Sequence, residues 1–406
     1  MKKFKFVFFL CISNLCFSSV KVGLDVFFSN DICKKYKDKK VGLITNHTGV
    51  NSKLISSISL FKECKDFKLV AIFSPEHGID GSYHAFESVK DDKKTSIPIY
   101  SLHGSTRRPT KEMLKDIDVL FYDVQCIGSR SYTYTTTLFY AMEEAAKYNI
   151  EVVILDRPNP IGGNTIDGPI LDTQFRSFIG YINIPYCHGM TIGELARYFK
   201  GEYKVECPLK VIEMQGWKRE MSYSDTGLNW IPPSPHIPEP DTPFYYPSTG
   251  ILGELKILSI GIGYTLPFKV IGAPWINSEL FAEKLNLQNL PGVYFLPFSF
   301  KPFYGTFKGK FCRGVKIVIT NRKTYRPIAV QFAILGILKT LYPKEFEKNI
   351  KGVNKDLFCK ALGSSQILNI LENEKYATWK LLDYQKGQIE AFREKRKKYL
   401  IKAYSN

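Results

Sequence analysis

Val41-Gly42-Leu43-Ile44 runs directly into Thr45-Asn46-His47-Thr48-Gly49, and Leu69-Val70-Ala71-Ile72-Phe73 runs into Ser74-Pro75-Glu76-His77-Gly78. Each is an apolar run that breaks off into a compact polar cluster. A run without polar alternation, bounded by Gly and Pro, suits a strand buried on both faces of a parallel sheet. Open parallel sheets bind ligands beyond the carboxyl ends of their strands. The two clusters therefore hold acid–base side chains where such a fold keeps its site. That points to an enzyme.

The pattern continues outward. Apolar runs at 97–101, 119–122 and 152–155 read as further strands, and 209–214 as a last one. Between them, 138–148 carries Ala141, Met142, Ala145 and Ala146 at helical spacing. The stretch 191–199 reads as an amphipathic helix, with Thr191 as its cap and Glu194 in the following turn. Alternation of this kind predicts an α/β parallel sheet with right-handed crossovers. Seven prolines crowd 231–247. Proline fixes φ and removes a donor, so this segment is expected to be neither a central strand nor a helix interior. It reads as the crossing between two domains, lining the cleft between them. Beyond it, 292–300 and 314–320 look like strands, and 327–341 and 384–399 like helices. The expected organisation is a leader at 1–19, a catalytic domain at 20–235 and a smaller mixed α/β domain at 236–406.

The 406 residues can bury a large core and are enough for two domains. With 44% hydrophobic and 23% charged residues the chain is globular. Its formal charge of +17 attracts anionic partners, among them nucleic acid, anionic lipid and acidic wall polymers. The lysines are scattered and no compact nucleic-acid module is present, which argues against nucleic acid. Met1-Lys2-Lys3 followed by an apolar 6–17 reads as a secretory leader, cleaved near Ser18 or Ser19. That stretch is too short to span a bilayer, and no later segment reaches the needed length. The mature chain is expected to be exported, periplasmic or secreted, without a stable membrane span. Leu15 argues against lipidation at Cys16. Of nine cysteines, Cys11 and Cys16 fall in the leader, and the other seven are widely spaced without a C-x-x-C. That is neither a disulfide scaffold nor a zinc site.

Glu76-His77-Gly78 is the sharpest candidate for chemistry. A general acid must hold a proton near neutral pH, and a strand-end loop covered by a second domain supplies the burial this needs. The bland alternative is a loop Glu that caps a helix or faces solvent. Asp123 follows a strand and could orient a partner or hold a water. Arg130 could grip a substrate carboxylate with its planar fork, and Tyr132 and Tyr134 could stack on a sugar ring. Alternatively, Asp123 caps the next helix and Arg130 pairs with it. Asp156-Arg157-Pro158-Asn159-Pro160 reads as a tight turn. His188 stands at a helix start, as an anion contact or as a structural cap. His77, Asp80 and His84 match no zinc spacing and there is no H-E-x-x-H, so no metal is expected. Gly261-Ile262-Gly263 lacks the third glycine of a dinucleotide site, so no cofactor is expected either.

Taken together, these segments resemble one family. Thr45-Asn46-His47-Thr48-Gly49, Phe73-Ser74-Pro75-Glu76-His77-Gly78 and Tyr100-Ser101-Leu102-His103-Gly104 appear in its order. So do Asp123-Val124-Gln125, Arg130 with Tyr132-Thr133-Tyr134, Leu155-Asp156-Arg157-Pro158-Asn159-Pro160, His188-Gly189-Met190-Thr191 and Gly272-Ala273-Pro274-Trp275. The chain resembles the NamZ-type exo-β-N-acetylmuramidases from about Lys21 onward. The resemblance implies a Rossmann-like first domain, a smaller C-terminal domain and an active-site cleft between them. It also implies release of terminal N-acetylmuramic acid from peptidoglycan fragments. Carried onto this sequence, Glu76, His77 and Asp123 are the expected catalytic residues, and Asn46, Arg130, Tyr134 and His188 the expected substrate-binding ones. Arg130 is the first candidate to read the lactyl carboxylate. The chain departs from the usual pattern at Cys126, Cys187, Pro235-His236, 253–256 and 261–264. Two other readings compete: a sugar-binding relative without turnover, and a metal-dependent hydrolase.

Overall fold

A computed structural model describes residues 19–84, 87–92, 96–352 and 355–405. Almost all of the expected leader, residues 1–18, lies outside the described residues. Six strands, β1 (Lys40–Thr45), β2 (Lys68–Ser74), β3 (Ile99–Ser101), β4 (Val119–Asp123), β5 (Glu151–Leu155) and β6 (Leu209–Ile212), form one sheet in the order β3-β2-β1-β4-β5-β6. Every pairing in it is parallel. This is the Rossmann order, which reverses direction between β1 and β4.

The apolar runs explain the sheet's burial. Leu43, Leu69, Phe121 and Val153 pack into an aromatic cluster with Phe27, Phe61 and Phe67 on one face. Their neighbours Ile44, Leu120, Tyr122 and Ile154 enter a second, larger cluster on the other face. Alternate residues of one strand thus serve two cores, and no polar alternation survives. The helix Tyr134–Lys147 covers the larger face, and the helix Ile192–Glu202 starts on a capping box in which Thr191 and Glu194 satisfy each other's backbone.

A second sheet holds three antiparallel strands, β7 (Val270–Ala273), β8 (Val293–Phe300) and β9 (Cys312–Ile319), in the order β7-β9-β8. Helices Pro327–Leu341 and Ala377–Arg396 pack together behind it. The larger apolar cluster continues from Ile44 and Phe73 through Leu252 to Val315 and Leu335, so the two sheets share one core.

The proline-rich segment corrects one expectation. Thr242–Glu254 is a helix, with Pro243 in its first turn and Pro247 inside it. Pro243 costs nothing there because first-turn amides have no partner within the helix. Pro247 lies buried inside the helix, where it forgoes the main-chain bond to the carbonyl four residues back. The part before the helix is strapped to the first sheet. His47 Nε2 donates to the carbonyl of Pro232 at 2.6 Å, and Tyr134 Oη donates to that of Pro233 at 2.6 Å. Among the described residues no helix is long and apolar enough to cross a membrane, and the seven described cysteines are unpaired.

Candidate active site

A cavity of about 520 Å3 opens between the two sheets. One wall comes from the carboxyl ends of β2 and β3 and the segment after β4, which supply Glu76, His103, Arg107 and Thr133. The opposite wall comes from the helix Thr242–Glu254, the segment 258–268 and residues 357–361. Ser234, His236 and Ile237 of the proline-rich crossing also face it. The site therefore sits on the β2–β3 side of the point where the strand order reverses.

Glu76 is buried on this wall, only 6% exposed. Directly after β2 the chain turns sharply. His77 and Gly78 both adopt positive φ, at 71° and 78°. His77 holds this costly conformation with two bonds to Tyr83: its Nδ1 donates to the Tyr83 carbonyl at 2.7 Å, and its own carbonyl accepts from the Tyr83 amide. The turn leaves Glu76 at the lip of the strand. Thr133 Oγ1 donates a short hydrogen bond to Glu76 Oε2. Thr133 is the N-cap of the helix Tyr134–Lys147, yet its hydroxyl makes no capping bond. The usual capping hydroxyl has been given to the carboxyl instead.

His103 Nε2 lies 3.7 Å from Glu76 Oε1. Burial holds the His103 imidazole below its ordinary value despite the pull of Glu76, with Arg107 and His77 adding to the effect of burial. A neutral imidazole therefore faces the carboxyl. His103 stacks near Phe178, with ring centroids 5.6 Å apart, and the Arg107 guanidinium lies 4.2 Å from the centre of the same Phe178 ring. Across the cavity Glu254 contributes a second carboxyl, which burial pushes up against the opposing effect of Lys256.

Of the seven residues expected at the site, the cavity takes in Glu76 and His77. The rest stand elsewhere. Asp123 is fully buried and gripped by Arg157, whose Nε donates to Oδ1 at 2.6 Å and Nη2 to Oδ2 at 3.0 Å. The alternative pairing with Arg130 is not the one it makes. Both oxygens of this carboxylate accept from a fork that ties β4 to the loop after β5, and Asp123 is not among the residues lining the cavity.

Arg130 corrects the carboxylate-binding expectation. Its guanidinium is enclosed, donating to the carbonyls of Pro169, Ile184, Ala361 and Leu362 at 2.9, 2.6, 3.4 and 2.7 Å. Burial pulls it down to about 10. It binds main chain from distant parts of the fold and is not among the residues lining the cavity. Asn46 and Tyr134 form a buried brace: Asn46 Nδ2 donates to Tyr134 Oη at 3.1 Å, and Asn46 Oδ1 accepts from the amide and hydroxyl of Thr48. His188 is enclosed, with Nδ1 accepting from the Met190 amide at 3.2 Å. Burial, with Arg396 and Arg130, pushes its imidazole down to about 3. It is a neutral structural histidine.

Sequence reading missed His103 and Arg107 as members of the site. Both follow β3, whose three residues give a weak strand signal. The departures at His236 and Ile262 fall on the cavity wall, whereas Cys126 and Cys187 lie behind it. Cys33, Cys64 and Asp66 bring ligand atoms within 4.8 Å of one another, but they precede β1 and β2 and so sit at the opposite end of the sheet.

Fold and cavity define an α/β protein in which a buried carboxyl, a hydroxyl and a neutral imidazole converge on an aromatic-walled cleft. That is the equipment of an acid-assisted hydrolase. The chain belongs to the NamZ exo-beta-N-acetylmuramidase family: its N-terminal part matches over residues 41–241 and its C-terminal part over 244–401. It is 42% identical over 384 residues to the peptidoglycan beta-N-acetylmuramidase NamZ of Bacillus subtilis (strain 168), covering 94% of this chain and 91% of that one. Two crystal structures of DUF1343 family proteins from Bacteroides fragilis NCTC 9343 share the fold. One has a TM-score of 0.87 at 42% identity, covering 94% of this chain and 99% of the other. The second has a TM-score of 0.72 at 29% identity, covering 95% and 99%.

Proposed function

We propose that this chain is an exo-acting glycoside hydrolase that releases terminal β-N-acetylmuramic acid from peptidoglycan fragments. The observation that carries this reading is the Glu76 carboxyl, set in the cavity wall between the Thr133 hydroxyl and the His103 ring. A β-glycoside leaves as an alcohol only if its oxygen receives a proton while the bond breaks, and a buried carboxylic acid is suited to give it. The aromatic wall, with Phe178 and Tyr246, offers flat apolar surface for a sugar ring. Glu76 is the general acid in this scheme, with Thr133 and His103 fixing its orientation. Glu254, or the substrate's own 2-acetamido oxygen, addresses the anomeric carbon or the attacking water.

The substrate reading also fits export. The basic head and apolar run of the first 17 residues are those of a secretory leader, and peptidoglycan lies outside the cytoplasmic membrane. Mass spectrometry of protein recovered from its native host should find a mature terminus near Val20, and an intact Met1 would remove this part of the proposal.

The direct test is incubation of the purified protein with a chromogenic β-N-acetylmuramide, its β-N-acetylglucosaminide counterpart and a muramic-acid-terminated disaccharide. Turnover of the muramide and the disaccharide is expected, with the glucosaminide much slower. No hydrolysis of either muramide would leave only a sugar-binding role.

A further inference from the structure

N-acetylmuramic acid differs from N-acetylglucosamine by one group, a lactyl ether at C3 that ends in a carboxylate. A cleft that separates the two sugars must set a cation where that carboxylate falls. We propose that Arg107 is this cation, an assignment that rests on the muramidase reading above.

Other buried or half-buried arginines of the chain are already committed. Arg130 is spent on four carbonyls, Arg157 on Asp123, Arg219 on Glu194, and Arg108 on Glu143 and Glu144. The cavity's other cation, Lys360, pairs with Asp356 one helical turn away. Arg107 is exposed at the cavity and makes no ion pair among the described residues. Its guanidinium sits over Phe178, with the guanidinium carbon 4.2 Å from the ring centre. A contact of that kind restrains the guanidinium beside the ring, and its donors can make a two-point contact with a carboxylate.

Position relative to the acid supports the same assignment. Arg107 contacts Phe178 at 4.2 Å, Phe178 contacts His103 at 5.6 Å between ring centroids, and His103 stands 3.7 Å from Glu76, so all four belong to one part of the wall. In a pyranose C3 is separated from C1 by the single carbon C2, and the lactyl ether carries its carboxylate further from the bond to be cut. An acid at C1 and a cation for the C3 carboxylate must therefore line one cavity at separate points, and Glu76 and Arg107 both line this one. If Arg107 met the substrate only through general attraction of a basic protein, a lysine elsewhere on the surface would serve equally well. Its place on the cavity wall over Phe178, with no ion pair among the described residues, separates it from that background.

The test is a comparison of wild type, Arg107→Leu and Arg107→Lys on the chromogenic muramide and glucosaminide. Arg107→Leu should lower the ratio of kcat/KM for muramide over glucosaminide by about 10–100-fold, mostly through KM for the muramide, with Tm close to wild type. Arg107→Lys should recover part of the ratio, since it keeps the charge and loses the planar fork. An unchanged ratio in a folded Arg107→Leu protein overturns the assignment. If wild type itself hydrolyses no muramide, the muramidase reading fails and this assignment falls with it. If wild type cleaves muramide without preferring it over the glucosaminide, only the carboxylate contact is refuted.

Discussion

His103 Nε2 stands 3.7 Å from Glu76 Oε1 because β2 and β3 pair in parallel with Ser74 opposite Ser101. Glu76 and His103 each follow those partners by two residues. In a parallel pair, equal offsets past a registered pair emerge at the same height along the sheet edge. The two groups are thus placed side by side by strand register, and the loops that carry them only have to turn outward.

Replacing Glu76 by Gln keeps its shape but removes the acid. Activity on a muramic-acid-terminated disaccharide should fall by about 10²–10⁴-fold, with Tm near wild type. A nitrophenyl muramide should be affected less, because its leaving group needs less protonation. Wild-type rates on the disaccharide would make Glu76 a structural loop residue.

Thr133→Val deletes the hydroxyl that Glu76 accepts from, without removing a helix cap, since that hydroxyl makes no capping bond. The expected result is a fall in kcat of about tenfold with stability lowered by about 1 kcal/mol. Thr133→Ser, which retains the hydroxyl, should restore the rate. Restoration by Ser but not by Val separates positioning of the acid from a packing effect.

Arg130→Leu should act on stability. Four main-chain carbonyls lose their shared donor inside the protein, and two of them belong to residues 361 and 362, more than 200 positions away. Urea titration should show a loss of at least about 3 kcal/mol. The fraction that remains folded should keep the wild-type KM for the muramide. A raised KM without loss of stability would return Arg130 to the substrate site.

His188 gives the protein a defined acid sensitivity. Burial depresses its imidazole from 6.5 to about 3, so between those values the unfolded chain binds a proton that the folded chain does not. Stability from this group is fully present above about pH 6.5 and declines as pH falls below it, by up to about 1.4 kcal/mol per pH unit. Melting curves from pH 7 to pH 4.5 should show this slope, and His188→Gln should flatten it while costing stability at pH 7.

The sequence alone determined the strands, and through them the place of Glu76. Apolar runs without alternation can satisfy themselves only between two covered faces, so a doubly buried parallel sheet followed from β1, β2, β4 and β5, and Glu76 stood at a strand end. Local chemistry was legible too, as with the Thr191–Glu194 capping box. The roles of polar side chains beyond that were not. Arg130, Asp123 and His188 share sequence motifs with Glu76, but burial and partners depend on what distant parts of the chain lay against them. Arg157 reaches Asp123 from another strand's loop, and residues 361 and 362 reach Arg130 from the far end of the chain. A charged side chain taken out of water must find its counterpart wherever the fold supplies one. Only the tertiary structure decided which charges were consumed in holding the protein together, and that Arg107 was left facing the cavity.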